Sequence, residues 1–380
     1  MLTNVGRTGS GRFALHLTGS SAFSIRSTGC TGKNLGVQKS CRVTVRYAPS
    51  STGANHAVLT ATRKHRMAAR LKLSGCSVDA SNRVFWADWN GGTVKEAHFG
   101  AGCATTITTL ATGQSTPASV AVDGTHVYWV TAGGEVKKVP LGGGTVTTLA
   151  SGQDEPLSVA VDGTHVYWVN AGSRGYNSTD GSVNKVPLGG GAVTTLASGQ
   201  AFPISVAVDG THVYWVNADL VDRFAALKNG TVNEVPLGGG AVTTLASGQN
   251  EPWSVAVDST NVYWVNSAGT ETVNKVPVGG GIVTTLANDP HGAASVAVSG
   301  TDVYWVDFGG QPVNVVPIGG GAVTQIGSGV DGVSVAVNGT HVFWGTYGGV
   351  VYEAPLGGGP VNVVASGKDG EDWPLVAVGP

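Results

Sequence analysis

Charge is scarce in this chain. Lys, Arg, Asp and Glu make up 12% of its 380 residues, and 22 basic against 24 acidic residues leave a formal net charge of −2. No basic stripe exists to follow a phosphate backbone, which argues against nucleic acid as a partner. Long apolar runs are missing too. None approaches the ~20 residues that a membrane helix needs, so insertion into a membrane is not expected. The opening residues Met1-Leu2-Thr3-Asn4-Val5-Gly6 lack the basic start and apolar run of a secretory signal. Cysteine is limited to Cys30, Cys41, Cys76 and Cys103, without the close pairs of a zinc site. The favoured pairing is Cys30–Cys41 with Cys76–Cys103, which implies an oxidising compartment. Four buried thiols are the alternative.

Glycine is abundant, and its 59 copies sit mostly in recurring turns between alternating Val and Thr runs. That is the pattern of all-β structure. Val-Tyr-Trp or Val-Phe-Trp occurs seven times, ending at Trp86, Trp129, Trp168, Trp215, Trp264, Trp305 and Trp344. A period near forty means one supersecondary unit per repeat. In one copy Ser158-Val159-Ala160-Val161 is strand A and Val166-Tyr167-Trp168-Val169 is strand B. Gly181-Ser182-Val183-Asn184-Lys185-Val186-Pro187-Leu188 is strand C and, after Gly189-Gly190-Gly191, Ala192-Val193-Thr194-Thr195-Leu196-Ala197 is strand D. The predicted architecture is a seven-bladed β-propeller of four-stranded blades over residues 76–380. Asp-Gly between A and B predicts a hairpin with positive φ, and Pro187, which cannot donate to a ladder, predicts the end of strand C. Burying each Trp between blades removes about 150–250 Å² from water. That is roughly 4–6 kcal/mol gross at about 25 cal/mol per Å².

Six repeats open with Ser-Val-Ala-Val, at Ser119, Ser158, Ser205, Ser254, Ser295 and Ser334, whereas the first has only Cys76-Ser77-Val78 before Asp79. At the other end Trp373-Pro374-Leu375-Val376-Ala377-Val378 reads as a strand A with no blade behind it. Residues 373–378 are therefore expected to complete the first blade and close the ring, which removes free sheet edges. An eighth blade cut short is the alternative.

Residues 1–75 lack the repeat and hold more than half of the Lys and Arg residues. In Arg42-Val43-Thr44-Val45-Arg46-Tyr47 the apolar and polar positions alternate, as in a half-buried strand. Short strands of this kind predict a β-sandwich. The order Thr3-Asn4-Val5-Gly6, Phe23-Ser24-Ile25, Cys30-Thr31-Gly32, Ser40-Cys41-Arg42-Val43-Thr44-Val45, Tyr47-Ala48-Pro49, Thr52-Gly53-Ala54 and Leu73-Ser74-Gly75 resembles the immunoglobulin-like ASH, or choice-of-anchor D, domains of bacterial surface proteins. In that family a first strand precedes Asn4-Val5-Gly6, so the chain resembles a piece of a longer protein. The Val-Tyr-Trp-Val-Asn strand followed by Val-Pro-Leu-Gly is similar to YWTD, NHL and TolB-like propeller repeats. The YWTD pattern has Asp two residues after Trp. Here that position holds Asp88, Thr131, Asn170, Asn217, Asn266, Asp307 and Thr346, a departure from YWTD proper.

Repeated residues maintain a scaffold, so a site is expected where repeats differ. The A–B and C–D turns share one face and barely vary, while the B–C and D–A connections share the other and do. Variable insertions on one face mark a binding face. Arg174, Tyr176, Asp222, Arg223, Lys228, Glu251 and Trp253 combine charge with flat aromatic surface there, as interface anchors do. The polar position after each Trp offers oxygen ligands for a cation, although such groups more often bond to neighbouring strands. His126, His165, His212 and His341 recur at the start of strand B, which points to a structural hydrogen bond. His291 near Asp289 is a candidate general base. The reading is a non-catalytic binding or scaffold protein, secreted or at the cell surface, with a protein or carbohydrate ligand and no cofactor or metal. The rival, a lyase resembling the streptogramin-inactivating propellers, rests on fold analogy.

Overall fold

The computed structural model describes residues 2–3, 5, 12–49, 53–63, 66–77, 83–98, 105–173, 179–218, 229–269, 271–288, 291–309, 313–327, 331–366 and 374–379. All regular elements among them are strands. The chain divides into two compact units, Met1–Asn82 with His98–Thr106, and Arg83–Ala97 with Ile107–Pro380.

In the first unit Ala14–Gly19, Gly53–Arg63 and Arg66–Ser77 form a three-stranded antiparallel sheet. Phe23–Thr28 pairs with Val43–Tyr47, and Leu2–Thr3 with Ser40–Cys41. Along Val43–Tyr47 half-buried residues alternate with exposed ones. Phe23, Ala22 and Ala57 form a small core with Leu17, Val45, Tyr47 and Leu73 around it. A second cluster is built on the Cys30–Cys41 disulfide and Leu35. Cys103 and the side chain of Cys76 lie outside the described residues, and with them the second expected pair. Cys76-Ser77 is not the remnant of a propeller strand: it ends Arg66–Ser77 and pairs with Gly53-Ala54.

The second unit is a series of four-stranded antiparallel sheets. In sheet III the strands are Pro156–Val161 (A), His165–Asn170 (B), Gly181–Pro187 (C) and Thr194–Gln200 (D). Five more sheets repeat this A-B-C-D order, with first strands Pro117–Val122 (II), Pro203–Val208 (IV), Pro252–Val257 (V), Ala293–Ser299 (VI) and Gly332–Val337 (VII). Sheet I joins Arg83–Asp88, Thr93–His98 and Thr106–Ala111 to the C-terminal strand Pro374–Val378, with Val376 opposite Trp86. A strands touch in chain order, and the cycle of contacts returns from Pro374–Val378 to Pro117–Val122.

Strand B is apolar on both faces because it is covered on both. Tyr128 and Val130 of sheet II pack with Val166 and Trp168 of sheet III. Val127 and Trp129 pack the other way, against Phe85 and Ala87 of sheet I. All seven tryptophans are buried, none more than 2% exposed. Polar bonds cross the same gaps. The backbone N–H of Val159 donates to Ser119 Oγ of the preceding sheet, and Val206, Val255, Val296, Val335 and Val376 donate likewise to Ser158, Ser205, Ser254, Ser295 and Ser334. The serine column thus holds six successive A strands each to the next.

The A–B turn differs from expectation. Gly124, Gly163, Gly210 and Gly339 are absent from the positive-φ residues. The turn is closed by a carboxylate. Asp162 Oδ1 accepts from the N–H groups of Thr164 and His165 and from Thr164 Oγ1, while Tyr167 Oη donates to Oδ2. Asp123, Asp209 and Asp258 repeat the arrangement. A side chain that satisfies two backbone donors needs no left-handed glycine beside it. The recurrent histidines serve this turn, with His126, His165, His212 and His341 placing Nδ1 against the preceding threonine hydroxyl.

Candidate functional site

At the A–B turn end the first strands of the sheets surround a cavity of roughly 900 Å³. Val122, Val161, Val208, Val257, Val337 and Val378 line it with Asp123, Asp162 and Asn338. These carboxylates are already committed. Burial by itself raises the Asp123 and Asp162 carboxyls, but hydrogen bonds from backbone N–H, threonine and tyrosine outweigh it and hold them below the usual aspartate range. Burial and the facing carboxylate push the Tyr128 and Tyr167 phenols up. The end is built for stability and is nearly the same in every sheet.

The opposite end carries the variable connections. Its scaffold begins with the glutamine that opens the links before sheets III, IV and V. Gln153 Oε1 accepts from Trp168 Nε1 at 3.0 Å and from Asn170 Nδ2 at 3.1 Å, and Gln200 and Gln249 treat Trp215 with Asn217 and Trp264 with Asn266 alike. Asn170, Asn217 and Asn266 also donate to Ser182, Thr231 and Thr272 on strand C. Asp88 pairs with Lys95 and accepts from Thr93, and Asp307 accepts from Asn314 and the N–H of Gly309. The polar position after each tryptophan therefore holds strands together within its own sheet. Among the described residues no group of three or more His, Cys, Asp or Glu side chains could hold a metal ion.

Above this layer the backbone is strained in register. Thr116, Glu155, Phe202 and Glu251 each have positive φ, 46°, 53°, 55° and 51°, and each precedes the proline that opens strand A. Their carbonyls accept from the N–H groups of Ala132, Ala171, Ala218 and Ser267, three residues after the tryptophan. Non-glycine residues in this region cost about 1–3 kcal/mol each and persist only where the surroundings over-determine them. One residue further, strand A bulges: the register slips between Pro252 and Ser254, and Trp253 is the extra residue. Bulges re-aim side chains. Ala118, Leu157, Ile204, Ala294 and Val333 occupy the same place in other sheets, so Trp253, 37% exposed, is the outlier of its column.

Trp253 meets Phe308 edge to face, with ring centroids 6.5 Å apart and planes at 83°. Phe308 is 41% exposed and stands in a column that holds Trp89, Ala132, Ala171, Ala218, Ser267 and Tyr347 in the other sheets. It leans over Gly292, with Cδ2 3.9 Å from where a Cβ would be. The N–H of Gly292 donates to Glu271 Oε2 at 2.8 Å. Glu251 is fixed through its carbonyl by the N–H and hydroxyl of Ser267. Burial raises its carboxyl above the ordinary glutamate range. Among the described residues that carboxylate has no partner. Phe308 and Glu271 thus meet at Gly292, and Trp253 meets Phe308, between sheets V and VI.

Of the residues singled out from the sequence, Trp253 stands at this meeting, and Glu251 precedes it by two residues, its carbonyl bonded to Ser267. Arg174, Tyr176, Asp222, Arg223 and Lys228 lie outside the described residues, as does Asp289 beside His291. Sequence reading missed Phe308 and Glu271. The repeats carry an aromatic at this position in Trp89, Phe308 and Tyr347 and a small residue in the other four. Nothing local marks Glu271, whose role depends on Gly292 of the next connection.

No family model matches the chain, and no curated protein matches it. Solved structures are similar in fold. A chain of a nidogen/laminin complex aligns with a TM-score of 0.53 at 17% identity, over 67% of this chain and 98% of that one. The WD40 β-propeller domain of Doa1 gives 0.52 at 17% identity, over 65% and 81%. A puromycin-hydrolysing peptidase of Mycobacterium tuberculosis gives 0.60 at 16% identity, over 76% and 52%. The strand order, the packed tryptophan faces and these likenesses together make the sheet array a β-propeller, a fold shared by binding proteins and enzymes.

Proposed function

We propose that the sheets of the second unit form a closed seven-bladed propeller that works as a non-catalytic binding module. Its ligand, a protein or a carbohydrate, sits on the face of the B–C and D–A connections. Residues 1–75, read as an immunoglobulin-like ASH-type module, serve as a spacer in a secreted or surface-exposed protein. Closure is supported by the C-terminal strand in sheet I and by the cycle of contacts among A strands.

The observation that carries the binding reading is the exposed Trp253–Phe308 pair. Two aromatics left partly in water, on an otherwise repeated scaffold and beside strained backbone, are what a binding surface retains and a purely structural one buries. The likeness to a chain of the nidogen/laminin complex fits a platform for another protein. Screening the full chain on peptide, protein and glycan arrays tests the reading, with Trp253→Ala and Phe308→Ala as variants. Loss of the hits in both is expected. Hits untouched by either variant would remove this face from consideration.

A further inference from the structure

We infer that the first unit carries a docking face for an anionic polysaccharide. The face is the outer side of the sheet formed by Phe23–Thr28 and Val43–Tyr47, with Arg26, Arg42 and Arg46 as its anion-binding groups. This role goes beyond that of a spacer and does not rest on the Trp253–Phe308 pair, so either reading can fail alone.

The near-neutral total of the chain conceals a division. Residues 1–75 hold 12 of the 22 Lys and Arg residues and none of the 24 Asp and Glu residues. The basic stripe that the chain lacks as a whole is present here as a sheet face. Phe23, Val43, Val45 and Tyr47 pack into the two apolar clusters of the unit, so alternation sends Ser24, Thr44 and Arg46 outward. All three are exposed, as are Arg26, Ser27 and Arg42. Ser24 lies opposite Arg46, and Arg26 is the extra residue of a bulge between Ile25 and Ser27, a feature that re-aims a side chain. Arg42 and Arg46 lie about 13 Å apart along the strand. With no carboxylate side chain in residues 1–75, no local ion pair neutralises these arginines. The face is also fixed from behind. Asn55 Nδ2 donates to Tyr47 Oη at 3.2 Å, and the rings of Phe23 and Tyr47 pack with centroids 4.8 Å apart. The N–H of Gly29 donates to the carbonyl of Arg42 at 2.9 Å, next to the Cys30–Cys41 disulfide. Groups held in place beforehand lower the ordering cost of binding.

The chemistry of the face selects the partner. Guanidinium groups pair bidentately with oxyanions such as carboxylate or sulfate. Among them stand the hydroxyls of Ser24, Ser27 and Thr44, which both donate and accept, as sugar hydroxyls do. No aromatic or large apolar side chain is among the exposed residues of these two strands. A single-stranded nucleic acid stacks its bases on rings. A protein partner buries an apolar centre in its interface. Stable attachment to a membrane adds an apolar group to a basic patch. This face offers none of the three. A sugar chain bearing carboxylates or sulfates asks only for the groups present.

The full chain is titrated calorimetrically with polygalacturonate and with dextran sulfate. Neutral dextran, double-stranded DNA, polyglutamate and phosphatidylglycerol vesicles are the comparisons. Saturable binding to an anionic polysaccharide and none to dextran is expected, weakening as NaCl is raised. A preference between the two polysaccharides names the acid group. Arg26→Gln, Arg42→Gln and Arg46→Gln combined should raise the Kd at least ~10-fold, the size of effect that one lost charged hydrogen bond already carries. Lysine at the same three positions should fall between, because it keeps the charge and loses the fork. Arg12→Gln, Lys33→Gln and Lys39→Gln combined remove as much charge from other exposed positions. At about 0.15 M salt, where distant charges are screened, that triple should change the Kd by less than ~3-fold. Equal losses in the two glutamine triples, no binding to either anionic polysaccharide, or tighter binding to DNA, polyglutamate or vesicles overturns the inference. Equal melting temperatures of wild type and variants exclude loss of fold as the cause, and the comparison with neutral dextran needs no variant.

Discussion

Asp162 shows how one side chain can do the work of a turn. Its carboxylate takes two backbone N–H groups, a threonine hydroxyl and a tyrosine hydroxyl. Asp162→Ala leaves the buried Tyr167 hydroxyl and two turn N–H groups to find other partners, so a loss of about 1–3 kcal/mol is expected in chemical denaturation. The four stapling carboxyls are held below the ordinary aspartate value. A carboxyl depressed in the folded state adds stability above its unfolded pKa, about 3.9, and loses it as pH falls through the folded value. The melting temperature of the propeller should therefore be flat above about pH 5 and drop below about pH 4. Asp→Asn at positions 123, 162, 209 and 258 together should flatten that drop. A second case is Glu234. Lys138, Lys185 and Lys275 donate across the gap to the carbonyls of Leu188, Leu237 and Ile318. Glu234 stands in the same column, buried, with Oε2 unpartnered. Glu234→Lys should reach the carbonyl of Val278 and raise stability by about 1–2 kcal/mol, read from the denaturation midpoint.

At the scale of the strand, the informative element is Pro374–Val378. It pairs with Arg83–Asp88 without the bulge that every other A strand has. Lacking that residue, it brings the Pro374 carbonyl to within 2.0 Å of where a Cβ on Gly345 would stand. Other B strands have valine or alanine after the tryptophan, and the exception at Gly345 makes room for this strand. Gly345→Val should lower the melting temperature by several degrees, whereas Val169→Gly should cost only the packing of its own side chain. The serine column also stops here. Leu375 occupies the serine position and has no hydroxyl to accept from Val120, so this gap lacks a bond the others have. Leu375→Ser should be more stable than Leu375→Ala by about 0.5–1.5 kcal/mol, the net worth of one hydrogen bond. Equal stabilities would mean that the Ser–Val bonds do not transfer to this gap.

Over the whole molecule, the two units should unfold by separate routes. The Cys30–Cys41 disulfide spans 11 residues of the first unit and stabilises it by about 2–3 kcal/mol through the unfolded chain. Cys30→Ser with Cys41→Ser should lower one calorimetric transition and leave the other unchanged. Deleting residues 368–380 should do the reverse, because it strips sheet I of its fourth strand and bares the edge of Arg83–Asp88. An unaltered propeller transition after that deletion would show that closure contributes nothing to stability.

The sequence by itself determined the repeat, the strands and the buried indoles. Each rests on a local period: alternation along a strand, a tryptophan column that only packing between sheets can bury, and a proline that ends strand C. It also set a missing strand at one end of the array against a surplus strand at the other. Tertiary structure decided what depends on residues distant in the chain. Asp162 replaced glycine as the agent of the turn because its partners converge only when strands A and B pair. Phe308 and Glu271 joined Trp253 because neighbouring sheets set their connections side by side. Periodicity reports how each segment is buried, whereas a binding corner is made from the positions where repeats differ, and the meeting of those positions is a property of packing.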